Sequence, residues 1–270
     1  MNVNTKTITR LKSQYGDRVL ITGATSGIGK ALAMKFGQAG FNLILTGRRK
    51  QLLESFCTEL FDQFKIEAVP IQGDLTRPED VNHLLKEVTD LNPGIIVLNA
   101  GFGTSGKLIN SRIEDELNML ELNCKTVLKM AHHFIGKMRL DQRKGAIVLL
   151  SSMVGFQGVP NAAHYAATKA YVQSLGEGLA VELKEHGIDI LAAAPGPVAS
   201  EFAERANMKM DMSMKPEDIA VPIIKAIGRK STLLPGRLTK LLVYSLRTAP
   251  RFLRVRIMGQ VMGGFTRHQV

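Results

Sequence analysis

Cysteine is scarce in this sequence, and Cys57 and Cys124 are its two examples. They lie far apart and match no metal-ligand spacing, which argues against a disulfide framework or a zinc site. Because free cysteine is commonly buried, we expect two core thiols in a protein of a reducing compartment. His132 and His133 also lack a ligand-spaced partner, so we predict a structural role for them and no bound metal.

Long apolar runs are absent as well. No stretch of about 18 consecutive apolar residues occurs, so a membrane-spanning helix is not expected. The N-terminal segment is polar and basic, and no apolar stretch of signal-peptide length precedes Val19. Together these features predict a cytoplasmic protein.

Acidic residues are missing from the C-terminal segment. Residues 219–270 contain ten Lys or Arg and no Asp or Glu, whereas the rest of the chain has 25 basic and 24 acidic residues. The net charge of +11 therefore belongs to this segment. A basic surface over the whole protein is not indicated, and nucleic-acid binding is not expected.

Apolar residues are plentiful, at 45% of 270 residues, which is enough for the core of one large domain. Strand-like and helix-like stretches alternate along the chain. Strands are predicted at residues 18–22, 42–46, 66–71, 95–98, 146–150 and 188–193, and helices at residues 28–39, 51–64, 78–90, 114–139 and 165–185. The capping-box spacing of Thr76 and Glu79 indicates where the third helix begins.

This alternation is typical of an α/β protein with a Rossmann-type, doubly wound parallel sheet between two layers of helices. We predict such a domain over residues 1–228, followed by a basic C-terminal extension over residues 229–270. In this architecture ligands bind at the carboxyl ends of the strands. The residues after each strand are therefore the candidate site.

A glycine-rich segment, TGATSGIG at residues 22–29, follows the first strand. Glycines 23, 27 and 29 would let a pyrophosphate approach the backbone, and the helix starting near Ile28 would supply N–H donors. Three glycines at this spacing also arise by chance, so an ordinary turn is the alternative. The position between a strand and a helix favours dinucleotide binding.

Two arginines, Arg48 and Arg49, follow the second strand, and no acidic residue lies between Gly40 and Glu54. Sites that prefer NAD usually place a carboxylate here for the ribose 2′-hydroxyl, whereas a guanidinium binds the 2′-phosphate of NADP. NADP(H) is therefore the expected cofactor, and Arg48 is the better candidate because it lies nearer the strand. Alternatively, the two arginines only begin a solvated helix.

Short polar turns follow the next two strands: Gly73-Asp74-Leu75 and Asn99-Ala100-Gly101. Either could be a plain turn. In a nucleotide site, Asp74 could accept a hydrogen bond from an adenine amino group. Asn99 could hold the end of the sheet open beside the ribose.

Four polar residues follow the fifth strand: Ser151 and Ser152, then Tyr165 and Lys169 at the start of a long helix. The spacing of four places the tyrosine and the lysine on one helix face. A phenol titrates near pH 10, and a neighbouring ammonium group lowers that pKa, which suits the pair to proton transfer. A surface Tyr/Lys pair is the alternative.

In order and spacing, these segments resemble the short-chain dehydrogenase/reductase family. The resemblance extends over residues 18–202. It includes TGATSGIG, NAG at residues 99–101, Asn123, the serine with YAATK at residues 165–169, and PGPV at residues 195–198. The basic C-terminal extension after Ala226, outside this shared core, resembles the tails of NADP-preferring bacterial ketoacyl or general ketone reductases of the family.

The resemblance implies an NADP(H)-dependent enzyme that interconverts a ketone or aldehyde with an alcohol. Tyr165 would be the general acid/base, and Lys169 would bind the nicotinamide ribose and lower the pKa of Tyr165. Ser152 would hold the carbonyl oxygen, and Asn123 would support a water relay. The expected cofactor site comprises Gly23, Thr25, Ser26, Gly27, Ile28, Gly29, Arg48, Arg49, Asp74, Leu75, Asn99, Ala100, Gly101, Tyr165, Lys169, Pro195, Gly196, Val198 and Ser200.

Residues 199–215 are expected to form a lid over the substrate. They include Phe202, Met208, Met210, Met212 and Met214, and flexible methionines suit an adaptable apolar pocket. The expected substrate is a hydrophobic carbonyl compound such as an acyl chain, a terpenoid or a steroid-like ring. A surface loop with solvent-facing methionines is the alternative. Three residues near the catalytic pair are also expected to line this pocket: Met153, Phe156 and His164.

Residues 238–256 mix apolar and basic side chains around Pro250. They could lie on an anionic membrane surface. They could also pack on the domain or on a second subunit, which we favour because the charges do not occupy one clean helix face.

The main alternative function is an NADP(H)-binding redox sensor without turnover. Loss of the tyrosine or the lysine usually marks such proteins, and here Ser152, Tyr165 and Lys169 are all present. The family resemblance also implies a small-molecule substrate and a homodimer or homotetramer built through the helices that contain Asn123 and Tyr165.

Overall fold

The computed structural model describes residues 2–209 and 213–267. Met210 and Met212, two of the methionines expected in the lid, lie outside the described residues.

Across these residues, seven strands form one sheet, in the order β3-β2-β1-β4-β5-β6-β7. Every neighbouring pair is parallel. The strands are β1 (Arg18–Thr22), β2 (Asn42–Gly47), β3 (Ala68–Gln72), β4 (Ile95–Leu98), β5 (Gly145–Leu150), β6 (Ile188–Ala193) and β7 (Thr232–Leu233). From β1 the chain adds strands towards one edge of the sheet, and from β4 it adds them towards the other edge. Doubly wound sheets open a crevice for ligands between two such strands.

Helices cover both faces of the sheet. They are α1 (Thr5–Tyr15), α2 (Gly27–Gln38), α3 (Lys50–Phe64), α4 (Pro78–Leu91), α5 (Ile113–Leu120), α6 (Val127–Leu140), α7 (Ala163–Glu182), α8 (Glu201–Arg205), α9 (Pro216–Ala226), α10 (Arg237–Arg247) and α11 (Arg251–Thr266). One core cluster joins the sheet to α1, α2, α3 and α9, and a second joins its other face to α4, α6 and α7. The predicted three-layer Rossmann-type fold is confirmed.

The predicted capping box of α4 is wrong. The helix begins at Pro78 with Arg77 as its N-cap. The Thr76 hydroxyl instead donates to Asp74 Oδ1 at 2.9 Å, within the turn that follows β3. The Thr76 side chain therefore hydrogen-bonds to Asp74, two residues before it, instead of capping the helix α4.

The predicted helix over residues 114–139 is interrupted. A π-helical segment, Glu121–Thr126, separates α5 from α6. Such segments are rare and frequent at functional sites, and this one contains Asn123. Six elements were not predicted: α1, β7 and the four helices α8 to α11. The helix α1 is short of apolar residues, and β7 has two residues.

A third apolar cluster lies beyond the carboxyl edge of the sheet. It joins Tyr165 and Met208 to buried residues of α10 and α11, among them Val243, Met258 and Met262. The basic C-terminal segment thus packs one side on the region where the site is expected.

Candidate active site

A cavity of about 1240 Å³ opens at the carboxyl edge of the sheet. It reaches the first residue after each of the strands β1 to β5, namely Gly23, Arg48, Gly73, Asn99 and Ser151, and the second residue after β6, Pro195. The side chains expected to act together therefore face one space, as the topology of a parallel sheet requires.

The glycine segment forms a tight backbone cradle between β1 and α2. Gly23 and Gly27 have φ of 66° and 52°, in the left-handed region that favours glycine. A Cβ atom on Gly29 would lie 2.2 Å from the Gly23 carbonyl oxygen, so no larger residue fits there. Asn99 Nδ2 donates to the Thr22 and Gly23 carbonyl oxygens at 2.8 and 3.1 Å and holds the two strand ends together.

This cradle fits a pyrophosphate group. The helix α2 begins directly behind the glycines, and its N-cap residue Ser26 makes no side-chain capping hydrogen bond within the described residues. The first N–H groups of α2 therefore remain available to an anion, and the helix dipole favours negative charge at this end.

Three arginines gather at the neighbouring rim of the cavity. Arg48 Nη1 lies 3.9 Å from Asp74 Oδ2, and Arg49 Nη2 lies 3.0 Å from a carboxylate oxygen of Glu201. Partial burial lowers the pKa of Arg205, and the nearby positive charges of Arg48 and Arg49 lower it further. The concentration of positive charge suits a phosphate monoester.

Nothing in the sequence singled out Arg205, because it lies far from the other two arginines along the chain. In the fold, the helix α8 brings Arg205 close to them. Ser200, the N-cap residue of α8, lies so close to the glycine segment that a Cβ atom on Gly27 would be 3.1 Å from its Cβ. The backbone N–H of Ala199, just before α8, donates to the Met214 carbonyl oxygen at 2.9 Å.

Asp74 is fixed by its own turn. Its Oδ1 accepts hydrogen bonds from the backbone and hydroxyl of Thr76, and its backbone N–H donates to Asp80 Oδ2. Its Oδ2 faces Arg48. Asp74 and Leu75 both line the cavity beside the arginines.

Ser152, Tyr165 and Lys169 meet in the middle of the cavity wall. Tyr165 and Lys169 lie on the first two turns of α7 and are 8% and 6% exposed. Lys169 Nζ donates to the Leu150 carbonyl oxygen at 2.9 Å and lies 5.9 Å from the centre of the Tyr165 ring. Ser151 Oγ donates to the Lys169 carbonyl oxygen at 2.9 Å, whereas the Ser152 hydroxyl interacts with the Tyr165 phenol and accepts a hydrogen bond from the Val154 N–H at 3.4 Å.

Burial dominates the titration of this pair. It raises the pKa of Tyr165 above its ordinary value, and the Ser152 hydroxyl offsets part of that rise. It also lowers the pKa of Lys169 to about 8. Desolvation of the phenolate, and not the neighbouring Lys169 ammonium group, therefore sets the direction of the pKa shift at Tyr165.

Asn123 lies behind the cavity rather than in its lining. Its amide Nδ2 donates to the Phe102 carbonyl oxygen at 2.9 Å and to Thr168 Oγ1 at 3.0 Å, and its Oδ1 accepts from the Phe102 N–H at 3.2 Å. A Cβ atom on Gly101 would lie 2.9 Å from Asn123 Oδ1 and 3.4 Å from Lys169 Nζ. Asn123 thus fixes the loop after β4 against α7, and the water relay stays a prediction.

The other end of the cavity is apolar. Met153, Phe202, Met208 and Met214 line it, and the Phe202 ring centre lies 5.4 Å from that of Tyr165. The C-terminal helices complete the wall with residues that were not predicted: Leu238, Leu242, Met258, Val261, Met262 and Phe265.

Two residues expected in this pocket, Phe156 and His164, lie outside its lining. His164 Nδ1 forms a 2.6 Å hydrogen bond with Glu116 Oε2, which turns the imidazole away from the cavity. Phe156 is covered by the Arg247 guanidinium, 5.6 Å from its ring centre. Both side chains have stronger local partners than the pocket offers.

The cysteines and the mid-helix histidines lie in the interior or on helices away from the cavity lining. Burial raises the pKa of Cys57 and of Cys124 to about 11. His133 Nε2 lies 3.2 Å from Thr89 Oγ1. Over residues 2–209 and 213–267, no cluster of metal-binding side chains and no helix able to cross a membrane is found.

Comparison with known proteins agrees with this geometry. The family model for short chain dehydrogenases matches residues 17–211, well over half of the chain. A 7beta-hydroxysteroid dehydrogenase from Clostridium sardiniense is 29% identical over 233 residues, which cover 85% of this chain and 89% of that protein.

Two solved structures extend the agreement. A short-chain dehydrogenase from Sphingobium yanoikuyae in complex with NADPH has a TM-score of 0.77 at 28% identity, and the match covers 86% of this chain and 93% of the other. A 7beta-hydroxysteroid dehydrogenase structure has a TM-score of 0.84 at 25% identity, with coverages of 92% and 98%. The resemblance inferred from the motifs is confirmed. The chain belongs to the short-chain dehydrogenase family, and it is an oxidoreductase of CH–OH groups.

Proposed function

We propose that this chain interconverts a bulky hydrophobic ketone and its secondary alcohol with NADP(H), using Tyr165 as the general acid/base. One observation carries the proposal: Tyr165 lies in the wall of a single cavity whose one end is a glycine cradle flanked by arginines and whose other end is apolar.

NADP(H) is the cofactor that the nucleotide end favours. The cradle from Gly23 to Gly29 and the start of α2 would hold the pyrophosphate. Arg48, Arg49 and Arg205 would hold the 2′-phosphate, which a carboxylate at this position would repel. When bound, the nicotinamide supplies or accepts the hydride at the substrate carbon.

Tyr165 would move the proton at the substrate oxygen. Because burial raises its pKa, the phenol keeps its proton at neutral pH and can donate it as the oxygen gains negative charge. Ser152 would donate a hydrogen bond to the same oxygen and stabilise that charge. Lys169 would bind the ribose, and its pKa of about 8 lets it exchange a proton near neutral pH.

The apolar end supports a substrate of several fused rings or a comparable bulk. Its wall contains methionine, leucine and phenylalanine side chains from the lid and from α10 and α11. Such a surface excludes water from the reacting carbonyl and adapts to irregular apolar shapes. Relatives named 7beta-hydroxysteroid dehydrogenase make the steroid ring the first substrate to test.

The test is consumption of NADPH and of NADH with a graded panel: steroid ketones, bicyclic ketones and short aliphatic ketones. We expect turnover with NADPH on the bulkiest ketones, and a loss of roughly 100-fold or more in kcat in Tyr165→Phe. Tyr171→Phe, on the same helix but outside the cavity lining, is the matched control.

Tight NADPH binding without turnover on the whole panel would contradict the proposal and favour a redox sensor. Full activity in Tyr165→Phe would contradict the assignment of the acid/base while leaving the enzyme class intact.

A further inference from the structure

The C-terminal helices α10 and α11 are joined at Pro250, and each has a buried and an exposed side. The buried sides lie against the cavity and include Val243, Leu246, Met258 and Met262. The exposed basic and apolar residues of the two helices that we call the tail face are Arg237, Leu238, Lys240, Leu241, Tyr244, Arg247, Arg251, Phe252 and Arg256. Packing on the domain therefore accounts for one side of this segment and leaves the other unexplained.

The tail face exposes an unusual amount of apolar surface. Leu241, Tyr244 and Phe252 are 66%, 55% and 73% exposed. Leu238, Leu241 and Tyr244 recur every three residues, so they form one stripe along α10. Large apolar side chains grouped in this way mark an interaction surface more often than isolated ones do.

Cations surround this stripe without compensating carboxylates. No Asp or Glu occurs in residues 219–270, and none of the ion pairs of residues 2–209 and 213–267 involves a Lys or Arg of this segment. The Arg254 guanidinium donates hydrogen bonds to the Ala249 and Arg247 carbonyl oxygens, in the turn between α10 and α11. Five exposed cations of the tail face form no ion pair within the described residues: Arg237, Lys240, Arg247, Arg251 and Arg256. Of these, Arg247 lies over the rings of Phe156 and Tyr244.

The tail face is continuous with the mouth of the cavity. Leu238 and Val261 are 50% and 38% exposed, and both also line the cavity wall. A surface bound to the tail face would therefore lie directly beside the apolar end of the cavity.

We propose that the tail face docks on an anionic lipid bilayer surface. Apolar side chains flanked by unpaired cations are what an interfacial helix needs, because the apolar groups enter the headgroup boundary while the cations meet lipid phosphates. The long basic side chains reach outward past the apolar stripe. This docking does not depend on the chemistry proposed for the cavity.

A second copy of the chain fits the tail face less well. A two-fold interface brings the same patch of both copies together. Five cations would then face five like charges with no carboxylate on either side, and such an arrangement repels.

The experiment is sedimentation of the full chain with vesicles of phosphatidylcholine, with and without roughly one-third phosphatidylglycerol. We expect binding to the anionic vesicles and none to phosphatidylcholine alone. Raising the salt concentration should weaken the binding, because it screens the cations.

Two paired variants dissect the surface. In Lys240→Gln/Arg251→Gln the partition coefficient should fall roughly 25-fold, since each cation near an anionic surface contributes about a factor of five. In Leu241→Gln/Phe252→Gln binding should fall by a similar factor, because the apolar anchor is lost. The matched controls, Lys50→Gln/Lys86→Gln and Ile109→Gln/Leu140→Gln, change exposed residues elsewhere and should leave binding unchanged.

Thermal melting and NADPH binding of each variant verify that it is folded, and the changed residues are all exposed. The proposal is overturned if the wild-type chain ignores anionic vesicles, or if the controls weaken binding as much as the tail-face variants do. It is also overturned if Leu241→Gln/Phe252→Gln instead dissolves an oligomer of the lipid-free chain, because the tail face would then be an interface between copies.

Discussion

The two ends of the cavity are built by different means. The nucleotide end consists of backbone at the ends of strands, with glycines at positions where no side chain fits. Apart from Met153, the apolar end consists of side chains that come from the last third of the chain: those of Phe202, Met208 and Met214 and those on α10 and α11. One end is fixed by sheet topology, whereas the other depends on how later helices pack.

This difference explains why one end is general and the other is specific. Under the proposed function, the glycine cradle holds a pyrophosphate, a group that does not change with the substrate, so rigid backbone suits it. Substrates differ, and a wall of methionine, leucine and phenylalanine side chains can change its shape without disturbing the sheet. Tyr165, Ser152 and Lys169 lie where the two constructions meet.

The strongest way to break the nucleotide end alone is Gly29→Ala. The new Cβ atom would lie 2.2 Å from the Gly23 carbonyl oxygen and 2.6 Å from Asn99 Nδ2, so backbone must move. Overpacking of this kind costs about 1–3 kcal/mol, and we expect NADPH affinity to fall by roughly 100-fold. Isothermal titration with NADPH measures it.

The matched control is Gly136→Ala on α6, where an added Cβ atom meets nothing within 4 Å. It should leave NADPH affinity unchanged and raise the free energy of unfolding by up to about 1 kcal/mol. Equal NADPH affinity in Gly29→Ala and the wild type would show that the cradle is not the pyrophosphate site.

The junction of the two ends can be probed through Lys169 and pH. Burial lowers its pKa from 10.5 to about 8 in the folded chain, so the unfolded chain binds the proton more tightly. The contribution of Lys169 to stability therefore rises between about pH 8 and pH 10, as the folded chain no longer has to bury an ammonium group. Relative to Lys169→Met, the wild type should gain roughly 2 kcal/mol over this range.

Urea unfolding of both proteins at several pH values checks this. The window ends near pH 10, because the lysine of the unfolded chain loses its own proton around its ordinary pKa of 10.5. Cys57, Cys124 and Tyr165 act in the opposite direction, since burial raises their pKa values, but all three are present in both proteins and cancel in the comparison. Parallel stability curves for wild type and Lys169→Met would mean that the Lys169 ammonium group is well solvated in the folded chain.

The same division separates what the sequence could predict from what it could not. Residues that follow a strand, such as Gly23, Asn99 and Ser152, are found in the cavity lining. The carboxyl ends of all the parallel strands lie at one edge of the sheet, so the position of these residues follows from the strand alone. Arg205 and Leu242 also line the cavity, yet each lies on a helix whose position depends on distant packing. The periodicity of apolar residues in the sequence predicts that a helix forms, but not against which distant part of the chain it packs.

Side chains with a choice of partners were the other source of error. His164 has a short hydrogen bond to Glu116, and Thr76 bonds to Asp74 instead of capping α4. In both residues the local geometry selects one partner among several that the sequence permits. Residue type and spacing do not rank these partners.

The apolar end alone can be altered with Leu242→Ala, the smallest effect of the set. Leu242 lines the cavity and is partly buried in the cluster that contains Tyr165. Removing its branched end takes away apolar contact worth about 1.5 kcal/mol, so KM for a bulky ketone should rise by roughly tenfold. NADPH affinity should stay unchanged, because no atom of the cradle is touched.

Steady-state kinetics with one bulky and one short ketone measures the change, and Leu140→Ala, at an exposed position of α6, is the control. An equal rise in KM for the short ketone would show that Leu242 supports the reacting centre rather than the bulk of the substrate, and the two ends of the cavity would then be less independent than their construction indicates.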